Sequence, residues 1–466
     1  MEHMATRIEL GRAQRACAAI TAVAMAFLLT ASSVQAGGGD VCCADLEARI
    51  AELEATTARK GNRKVSVTVS GWVNEAIFAW DDGTKADAYI GTNFVEQSRF
   101  RFVGEAKIDK DWSAGYLLEF GVSGHPSNQW DQDSIASKSL NSTNRENAVI
   151  ARKSNWFIKS KRLGQFAVGL NSMATYHLLD DADSTLTRNV DDAEGASTFM
   201  SAFRIRVDGQ FVHALKWNEV LRGFNNSTPG DSSRRDVVRY DTPTWAGFSA
   251  SVAWGEDDLG DVVVGYKNDI GDFSVLARAG YGVSNDPGSM LTGPDGSFVV
   301  GGTPCISGST TVTSLPNFDC KWGGAGATIM HKPTGLFLYG GWGQLTVHTD
   351  HAFPAGTVFL PTSNTFFLQP GIERKWLSFG KTNIFGEYRH DDPGSNPGKT
   401  VSANIDFWQG GVVQHFEASD MSVYLVYQHS SGDITGNAAT AATGAPVGTS
   451  SIDPFQELVV GTKLNF

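Results

Sequence analysis

Apolar and polar residues alternate with a period of two over most of the chain, from residue 65 to the last residue, Phe466. Phe100 and Phe102, for example, share one face of their segment, while Arg99 and Arg101 share the other. A period of two puts successive side chains on opposite faces of a β-strand, so the pattern predicts many strands with one apolar face each. A soluble β-sandwich alternates in the same way, and the pattern alone does not separate the two classes.

The connections between these segments separate the classes, because short turns alternate with long polar loops. This is typical of an up-and-down barrel, which has tight turns at one rim and long loops at the other. Counting back from Phe466 predicts sixteen strands, which begin near residues 65, 96, 112, 148, 165, 234, 247, 260, 273, 319, 335, 365, 379, 403, 421 and 455. The long loops are predicted at roughly 83 to 93, 122 to 147, 174 to 233, 284 to 318, 348 to 364 and 431 to 453.

One further segment, Gln210 to Glu219, also alternates and would make seventeen strands. Barrels of this type have an even number of strands, so we assign it to the third long loop as an internal hairpin. Each predicted strand has about 9 to 13 residues, enough to cross the apolar part of a membrane when tilted. The sequence therefore predicts an all-β protein, a sixteen-stranded antiparallel transmembrane β-barrel in which closure leaves no unpaired strand edge in lipid.

The residues before the barrel predict export and a short helix. Residues 1–36 contain basic residues, an apolar core and the small-residue site Val34-Gln35-Ala36, which are the features of a signal peptide. Residues 37–63 carry Leu46, Ile50 and Leu53 at helical spacing, which predicts a periplasmic helix that either forms a coiled coil between protomers or lies on the protein. The barrel itself, residues 64–466, has its long third loop at about 174–233 and is predicted to fold this loop inward.

Composition and charge narrow the function. The 51 glycines, 15 prolines and 11% aromatic residues suit short strands with tight turns. The formal charge of −12 becomes about −13 once a leader of charge +1 is removed, so a nucleic-acid partner, which would need a basic face, is not expected. In an oxidising compartment, Cys305 and Cys320 are predicted to form a disulfide across one loop, while Cys42 and Cys43 are either free or paired between chains.

The text of the sequence also resembles the alphaproteobacterial general porins. The resemblance runs through CCADLEARIAELEATTARKGNRKVSVTVSGWVNEAIFAWDDG (42 to 83), EQSRFRFVGEAKIDKDWSAGYLLEF (96 to 120) and RRDVVRYDTPTWAGFSASVAWGEDD (234 to 258). It implies a sixteen-stranded trimeric outer-membrane porin whose third loop narrows the channel. The third loop of this chain is long for that pattern, so the shape of its constriction is not implied.

A diffusion pore needs a polar lumen and a constriction whose charges set its field and size limit, and it needs no cofactor or metal. The third loop supplies acids and the polar strand faces supply arginines, which together predict a transverse field. Alternatively, the acids are solvated and the arginines pair locally with Glu105, Glu119, Glu373 and Glu387. The predicted constriction residues are Arg99, Arg101, Arg239, Arg278, Asp180, Asp181, Asp183, Asp191, Asp192 and Glu194.

Two other functions stay open beside passive diffusion of small hydrophilic solutes and ions. An outer-membrane enzyme would need a catalytic group, and His348, Asp350 and His351 are the nearest approach to a metal or acid/base cluster. A cell-wall tether would use the N-terminal helix and the basic residues from Arg59 to Lys64. The expected partners are therefore outer-membrane lipid and lipopolysaccharide, two further copies of the chain, solutes and the cell wall.

Overall fold

The computed structural model describes the barrel and most of its third loop. The described residues are 65–122, 124, 126–133, 149–189, 200–221, 228–255, 259–285, 290–292, 298–300, 319–348, 362–394, 402–437 and 446–466. The predicted signal peptide and N-terminal helix lie outside them and stay predictions. Within these residues, no helix is both long enough and apolar enough to cross a membrane.

Antiparallel strands make up nearly all of the regular structure. In chain order they are β1 (Ser66–Asp81), β2 (Ala86–Thr92), β3 (Arg99–Lys107), β4 (Trp112–Val122), β5 (Val149–Ser160), β6 (Gly164–Ser172), β7 (Arg204–Val207), β8 (Gln210–Lys216), β9 (Arg234–Asp241), β10 (Phe248–Gly255), β11 (Gly260–Ile270), β12 (Phe273–Ser284), β13 (Met290–Thr292), β14 (Phe298–Val300), β15 (Asp319–His331), β16 (Leu336–His348), β17 (Thr362–Leu377), β18 (Gly380–Asp392), β19 (Ser402–Phe416), β20 (Met421–Gly436) and β21 (Gly448–Asn465). Short helical turns occur at Ser127–Gln129, Asp180–Ala182, Leu186–Asn189 and Trp217–Val220.

Seventeen of these strands form one sheet, and the sheet closes on itself because β21 pairs with β1, from Trp72 opposite Asn465 to Asp81 opposite Gln456. Strands β2 and β3 pair with successive halves of β1 and therefore occupy a single position in the wall. The closed wall accordingly has sixteen positions, and the predicted sixteen-stranded antiparallel barrel is confirmed. The chain between β2 and β3, residues 93 to 98, turns inward instead of continuing the ladder, and Glu96 and Gln97 are buried there.

Side chains alternate between two faces of this wall. On β16, Leu336, Leu338 and Trp342 are about half exposed and point outward, whereas Phe337 and Tyr339 are buried on the inner side. The outer face is thus apolar and exposed, and the inner face carries most of the buried polar and charged residues. This inverted arrangement is expected of a wall that has lipid outside and a polar interior.

The predicted hairpin in the third loop is confirmed, because β8 pairs only with β7, in a separate two-stranded sheet. Two predicted loops were wrong in extent. The loop predicted at 83 to 93 is a tight turn in which Asp82 Oδ1 accepts the backbone N–H groups of Thr84 and Lys85, and β2 follows it. The loop predicted at 431 to 453 is shortened because β20 and β21 run on to Gly436 and from Gly448. In both cases the residues concerned are polar or small and therefore resemble a loop in sequence, although the structure places them in strands.

Candidate functional site

The third loop, between β6 and β9, runs inside the barrel. Its first part, residues 173–189, is called the polar arm here, and it follows the inner wall from β11 to β17. The Thr328 hydroxyl donates to the carbonyl of Ala182 at 2.6 Å, and the Tyr339 hydroxyl donates to the carbonyl of Leu179 at 2.9 Å. Farther along, the backbone N–H of Leu186 donates to Glu373 Oε2 at 2.8 Å. The wall therefore satisfies backbone groups of the arm that would otherwise be buried without partners.

A buried carboxylate holds the start of the polar arm. Asp261 on β11 accepts hydrogen bonds from the backbone N–H groups of Ala174 and Thr175, at 3.0 and 2.7 Å, and from the Thr175 hydroxyl at 2.5 Å. On β9, Arg239 Nη1 donates to the carbonyls of Ser172 and Met173 at 3.0 and 3.1 Å. Together these contacts fix the direction in which the loop leaves β6.

Wall glycines make room for the loop. A Cβ atom on Gly343 would lie 1.8 Å from the carbonyl oxygen of Pro229, and one on Gly326 would lie 3.0 Å from Cβ of Ala182. Both glycines belong to glycine-rich runs of the sequence, at 323–326 and 340–343. Gly343 and Gly326, one from each run, lie where the wall needs no side chain because the loop occupies that space.

The structure describes three of the predicted loop acids, and each of them has hydrogen-bond or ion-pair partners. Asp180 is fully buried, and its carboxylate lies 2.6 Å from Nδ1 of His177. Asp183 is buried and accepts hydrogen bonds from the Thr187 hydroxyl and the Thr185 N–H, both at 2.7 Å. Asp181 bridges two arginines, Arg188 of the arm and Arg278 of β12. Three more predicted acids, Asp191, Asp192 and Glu194, lie outside the described residues.

The environment shifts two of these carboxyl groups in opposite directions. Burial raises the pKa of Asp183, and its hydrogen bonds to threonines only partly oppose this. Burial would also raise the pKa of Asp181, but Arg188 and Arg278 outweigh it and lower that pKa below its ordinary value. Asp181 thus stays ionised as a fixed charge of the arm, while Asp183 is held in place mainly by hydrogen bonds.

The four predicted arginines lie in three different places. Arg278 meets the loop at Asp181, whereas Arg239 pairs with Asp241, with Nη2 at 2.8 Å from Oδ1, and holds the start of the loop. Arg99 and Arg101 lie over the ring of Trp72, 4.4 and 5.5 Å from its centre, on the wall at β1 and β3. The wall arginines therefore do not form one cluster, and Arg99 and Arg101 mark a second basic region.

This second region, called the basic wall here, contains residues that the sequence reasoning missed. Arg152 donates to Glu119 Oε1 at 3.0 Å, and Lys463 lies 4.2 Å from the centre of the Trp72 ring. Glu96, in the inward segment between β2 and β3, pairs with Arg99 at 3.3 Å. Alternation along the last strand puts Leu464 and Phe466 on the apolar face, so their neighbour Lys463 falls on the polar face, and the sequence held that signal. Its members are Trp72, Glu96, Arg99, Arg101, Glu119, Arg152, Lys153 and Lys463.

The polar arm lies near the basic wall. Arg188 of the arm is close enough to act electrostatically on Glu96. Arg234 of β9 also lies 5.3 Å from the centre of the Tyr176 ring. The lumen at this level is therefore bounded by the arm on one side and by the basic wall on the other.

The second described part of the loop, residues 200–221, is called the hairpin arm here and has a different character. It packs an apolar cluster against the inner faces of β1 and β21. Phe203 of the arm lies with its ring centre 4.9 Å from those of both Trp80 and Phe455, and all three side chains are almost completely buried. This arm fills its sector of the barrel with aromatic side chains.

The remaining predicted sites are only partly described. Cys320 on β15 is buried and disulfide-bonded, but Cys305 lies outside the described residues, so the pairing of these two stays a prediction. His348 is exposed at the end of β16, while Asp350 and His351 also lie outside. Within the described part of the chain, no three His, Cys, Asp or Glu side chains are grouped as metal ligands would be.

Solved structures with a similar fold are porins and outer-membrane proteins. The anion-selective porin from Comamonas acidovorans has 16% sequence identity and a TM-score of 0.53, and the match covers 86% of this chain and all of that one. OmpT of Vibrio cholerae (13%, TM-score 0.47) and OmpF of Salmonella typhi in complex with daunomycin (13%, TM-score 0.48) each cover 87% of this chain and 99% of their own. At an identity of 16%, the likeness to the Comamonas acidovorans porin supports the fold of this chain and nothing about its function.

The sequence itself decides the family. No curated protein matches it. The family model described as Gram-negative porin, however, matches residues 17–316, which are 300 of the 466 residues. The narrower resemblance to alphaproteobacterial porins stays a prediction. With the closed barrel, its apolar outer face and its inward third loop, the match shows that the chain belongs to the Gram-negative porin family and forms a channel in the outer membrane.

Proposed function

We propose that this porin is a passive diffusion channel, without a catalytic step, whose narrowest part lies between the polar arm and the basic wall. The observation that carries the proposal is the course of the polar arm along the inner wall, from Asp261 to Glu373, near enough to the basic wall for Arg188 to act electrostatically on Glu96. A pore of this kind selects by its width and by the charges at the narrow part.

The charges of the basic wall favour anions. Five cations, namely Arg99, Arg101, Arg152, Lys153 and Lys463, lie together with two carboxylates, Glu96 and Glu119. The region therefore has an excess of three positive charges, although the whole chain has a formal charge of −12. Fixed charges in a confined lumen raise the local concentration of counter-ions, and the local excess, not the net charge, sets the preference.

The acids of the polar arm complete the proposed transverse field. Asp181 is the described acid that meets a wall arginine, Arg278, and it also pairs with Arg188 of the arm. The undescribed Asp191, Asp192 and Glu194 are proposed to face the lumen farther along the same loop. A field of this kind orders water and disfavours apolar solutes.

Planar-bilayer recordings test the proposal. In the double variant Arg99→Ser/Arg101→Ser, the anion-to-cation permeability ratio, taken from the reversal potential in a salt gradient, should fall by about two-fold or more. Lys110→Ser, in an exposed turn, is the matched control and should leave the ratio unchanged. If the double variant conducts with the ratio of the unaltered protein, the basic wall is not the selective region.

We propose further that copies of the chain cover the outer face near β1, as a homotrimer. Glu75 is exposed on that face between Val73 and Ile77, and hydroxyls of Thr92 and Ser98 donate to its carboxylate at 2.9 and 3.3 Å. A carboxylate facing lipid would cost about 2 kcal/mol or less, and a protein neighbour removes that cost. Lipid and lipopolysaccharide would contact the rest of the apolar outer face of the barrel. The N-terminal helix would reach the cell wall. Native mass spectrometry of the unaltered protein and of Glu75→Leu tests the contact.

A further inference from the structure

Three cations of the basic wall surround a single indole ring. The guanidinium carbons of Arg99 and Arg101 lie 4.4 and 5.5 Å from the centre of the Trp72 ring. Nζ of Lys463 lies 4.2 Å from the same centre. Neighbouring like charges repel each other, and they do so more strongly where water is partly excluded. A cluster of this kind therefore needs a partner at its centre that attracts cations.

The carboxylate nearest to Arg101 in the strand register has other partners. Glu119 lies opposite Arg101 in the pairing of β3 and β4. Its Oε1 atom, however, lies 3.0 Å from Nε of Arg152 and 3.8 Å from Nη1 of Arg99. Nε of Arg101 is buried and has no hydrogen-bond partner within the described part of the chain. The guanidinium group of Arg101 instead lies against the indole ring.

The indole ring is held in place by contacts that do not involve the cations. Trp72 is the last residue of β1 that pairs with β3 and the first that pairs with β21. Its Nε1–H group donates to the backbone carbonyl of Glu96 at 3.2 Å, and the Asn74 side chain donates to the same oxygen at 3.1 Å. The ring is therefore fixed both by the wall and by the inward segment between β2 and β3.

We propose that Trp72 is a positioning residue that holds the cations of the basic wall together without neutralising them. The face of an indole ring attracts a cation through its quadrupole and carries no net charge. A carboxylate at the same place would also hold the cations, but it would cancel one positive charge. The positive excess of the region thereby stays available to anions. This inference rests on the proposed function, because it explains how the selective charges are arranged.

The rate at which an amine reagent modifies Lys463 reports on the position of the cations without any current being measured. Lys463 is buried, so its acetylation by acetic anhydride, followed by mass spectrometry, should accelerate by about three-fold or more in Trp72→Leu. Trp72→Phe keeps an aromatic face but loses the indole N–H, and its rate should stay near that of the unaltered protein. Lys110, in an exposed turn, is the internal reference in every sample.

A double-variant cycle in planar bilayers relates the ring to ion selection. Arg101→Ser should lower the anion-to-cation permeability ratio in the unaltered protein and in Trp72→Phe. In Trp72→Leu, the same substitution should lower the ratio by at most about half as much, because Arg101 is no longer held beside the other cations. The heat-dependent shift of the barrel on a gel checks folding, and Trp72→Met replaces Trp72→Leu if the latter does not fold.

Three results would overturn the inference. The first is an unchanged rate of Lys463 acetylation in the folded Trp72→Leu variant. The second is an equal acceleration in Trp72→Phe, which would mean that packing and not the ring face holds Lys463. The third is an Arg101→Ser effect of the same size with and without the ring. If Arg101→Ser changes the ratio in none of the proteins while acetylation accelerates in Trp72→Leu alone, the ring positions the cations and the proposed selective region is wrong.

Discussion

The two arms of the third loop are held inside the same barrel by opposite means. Where the polar arm passes, the wall lacks a side chain at Gly326, and hydrogen bonds to wall residues such as Asp261 hold the loop. Where the hairpin arm passes, the wall has large aromatic side chains, Trp80 and Phe455, and packing holds the loop. Charged groups can therefore face water beside the first arm, whereas the second arm excludes water.

The largest expected effect comes from removing the central aromatic of the hairpin arm. Phe203→Ala leaves a cavity between Trp80 and Phe455, and such a change costs about 3 to 5 kcal/mol in a packed core. The hairpin should detach, so that proteolysis within residues 200–221 accelerates and conductance rises, while the ion preference stays constant. If the preference shifts as well, the two arms are coupled and the comparison fails.

A smaller effect is expected where the wall makes room for the last part of the third loop, at Pro229. In Gly343→Ala, the added methyl group meets the carbonyl of Pro229, and overpacking of this kind costs about 1 to 3 kcal/mol. The loop must shift, so the reversal potential should change. Gly386→Ala is the matched control, because its Cβ would lie 3.8 Å from the nearest atom, the carbonyl oxygen of Gln409. Equal behaviour of the two variants would contradict the role of Gly343.

The smallest effect is expected when the pH is lowered. The pKa of Asp181 is lowered below 3.8, so its bridge to Arg188 and Arg278 is present above that pH and is lost only as the pH falls through the lowered pKa. The pKa of Asp183 is raised, so the cost of burying its charge disappears as the pH falls. The lowered pKa of Asp181 and the raised pKa of Asp183 both predict that the polar arm stays attached between pH 7 and about pH 4.

Protease sensitivity of the polar arm across this range checks the prediction. The unaltered protein should show no increase in cleavage between the two pH values. Asp181→Asn, which lacks the ionised bridge, should be more sensitive at both. An increase in the unaltered protein near pH 4 would mean that Asp181 is not held by its arginines.

Strand positions follow closely from the sequence because period-two alternation is a local property of each segment. It identified the sixteen wall positions and the internal hairpin. It failed at Arg152, because a bulge in β5 makes Arg152 an extra residue between Ala151, opposite Phe120, and Lys153, opposite Glu119. Strict alternation would turn Arg152 outward, whereas the bulge turns it toward Glu119.

The constriction was less predictable. Acids and arginines were chosen by residue type and phase, but Arg239 forms its ion pair two residues away with Asp241, and Asp180 is buried beside His177. The sequence shows whether a strand residue lies on the inner or the outer face of the wall. It does not show which part of a loop of about sixty residues will lie opposite that residue. The basic wall at Trp72 joins residues from opposite ends of the chain, Arg99 and Lys463, because the barrel closes.

By itself, the sequence determined the strand count, the apolar outer face and the family, because each depends on local alternation or on direct similarity. The tertiary structure decided the division of the third loop into a polar arm and a hairpin arm. That division depends on which inner surfaces lack side chains and which carry aromatic rings once the sheet closes. Only closure brings Trp80, Phe203 and Phe455 together, and contacts across such distances in sequence have no local signal.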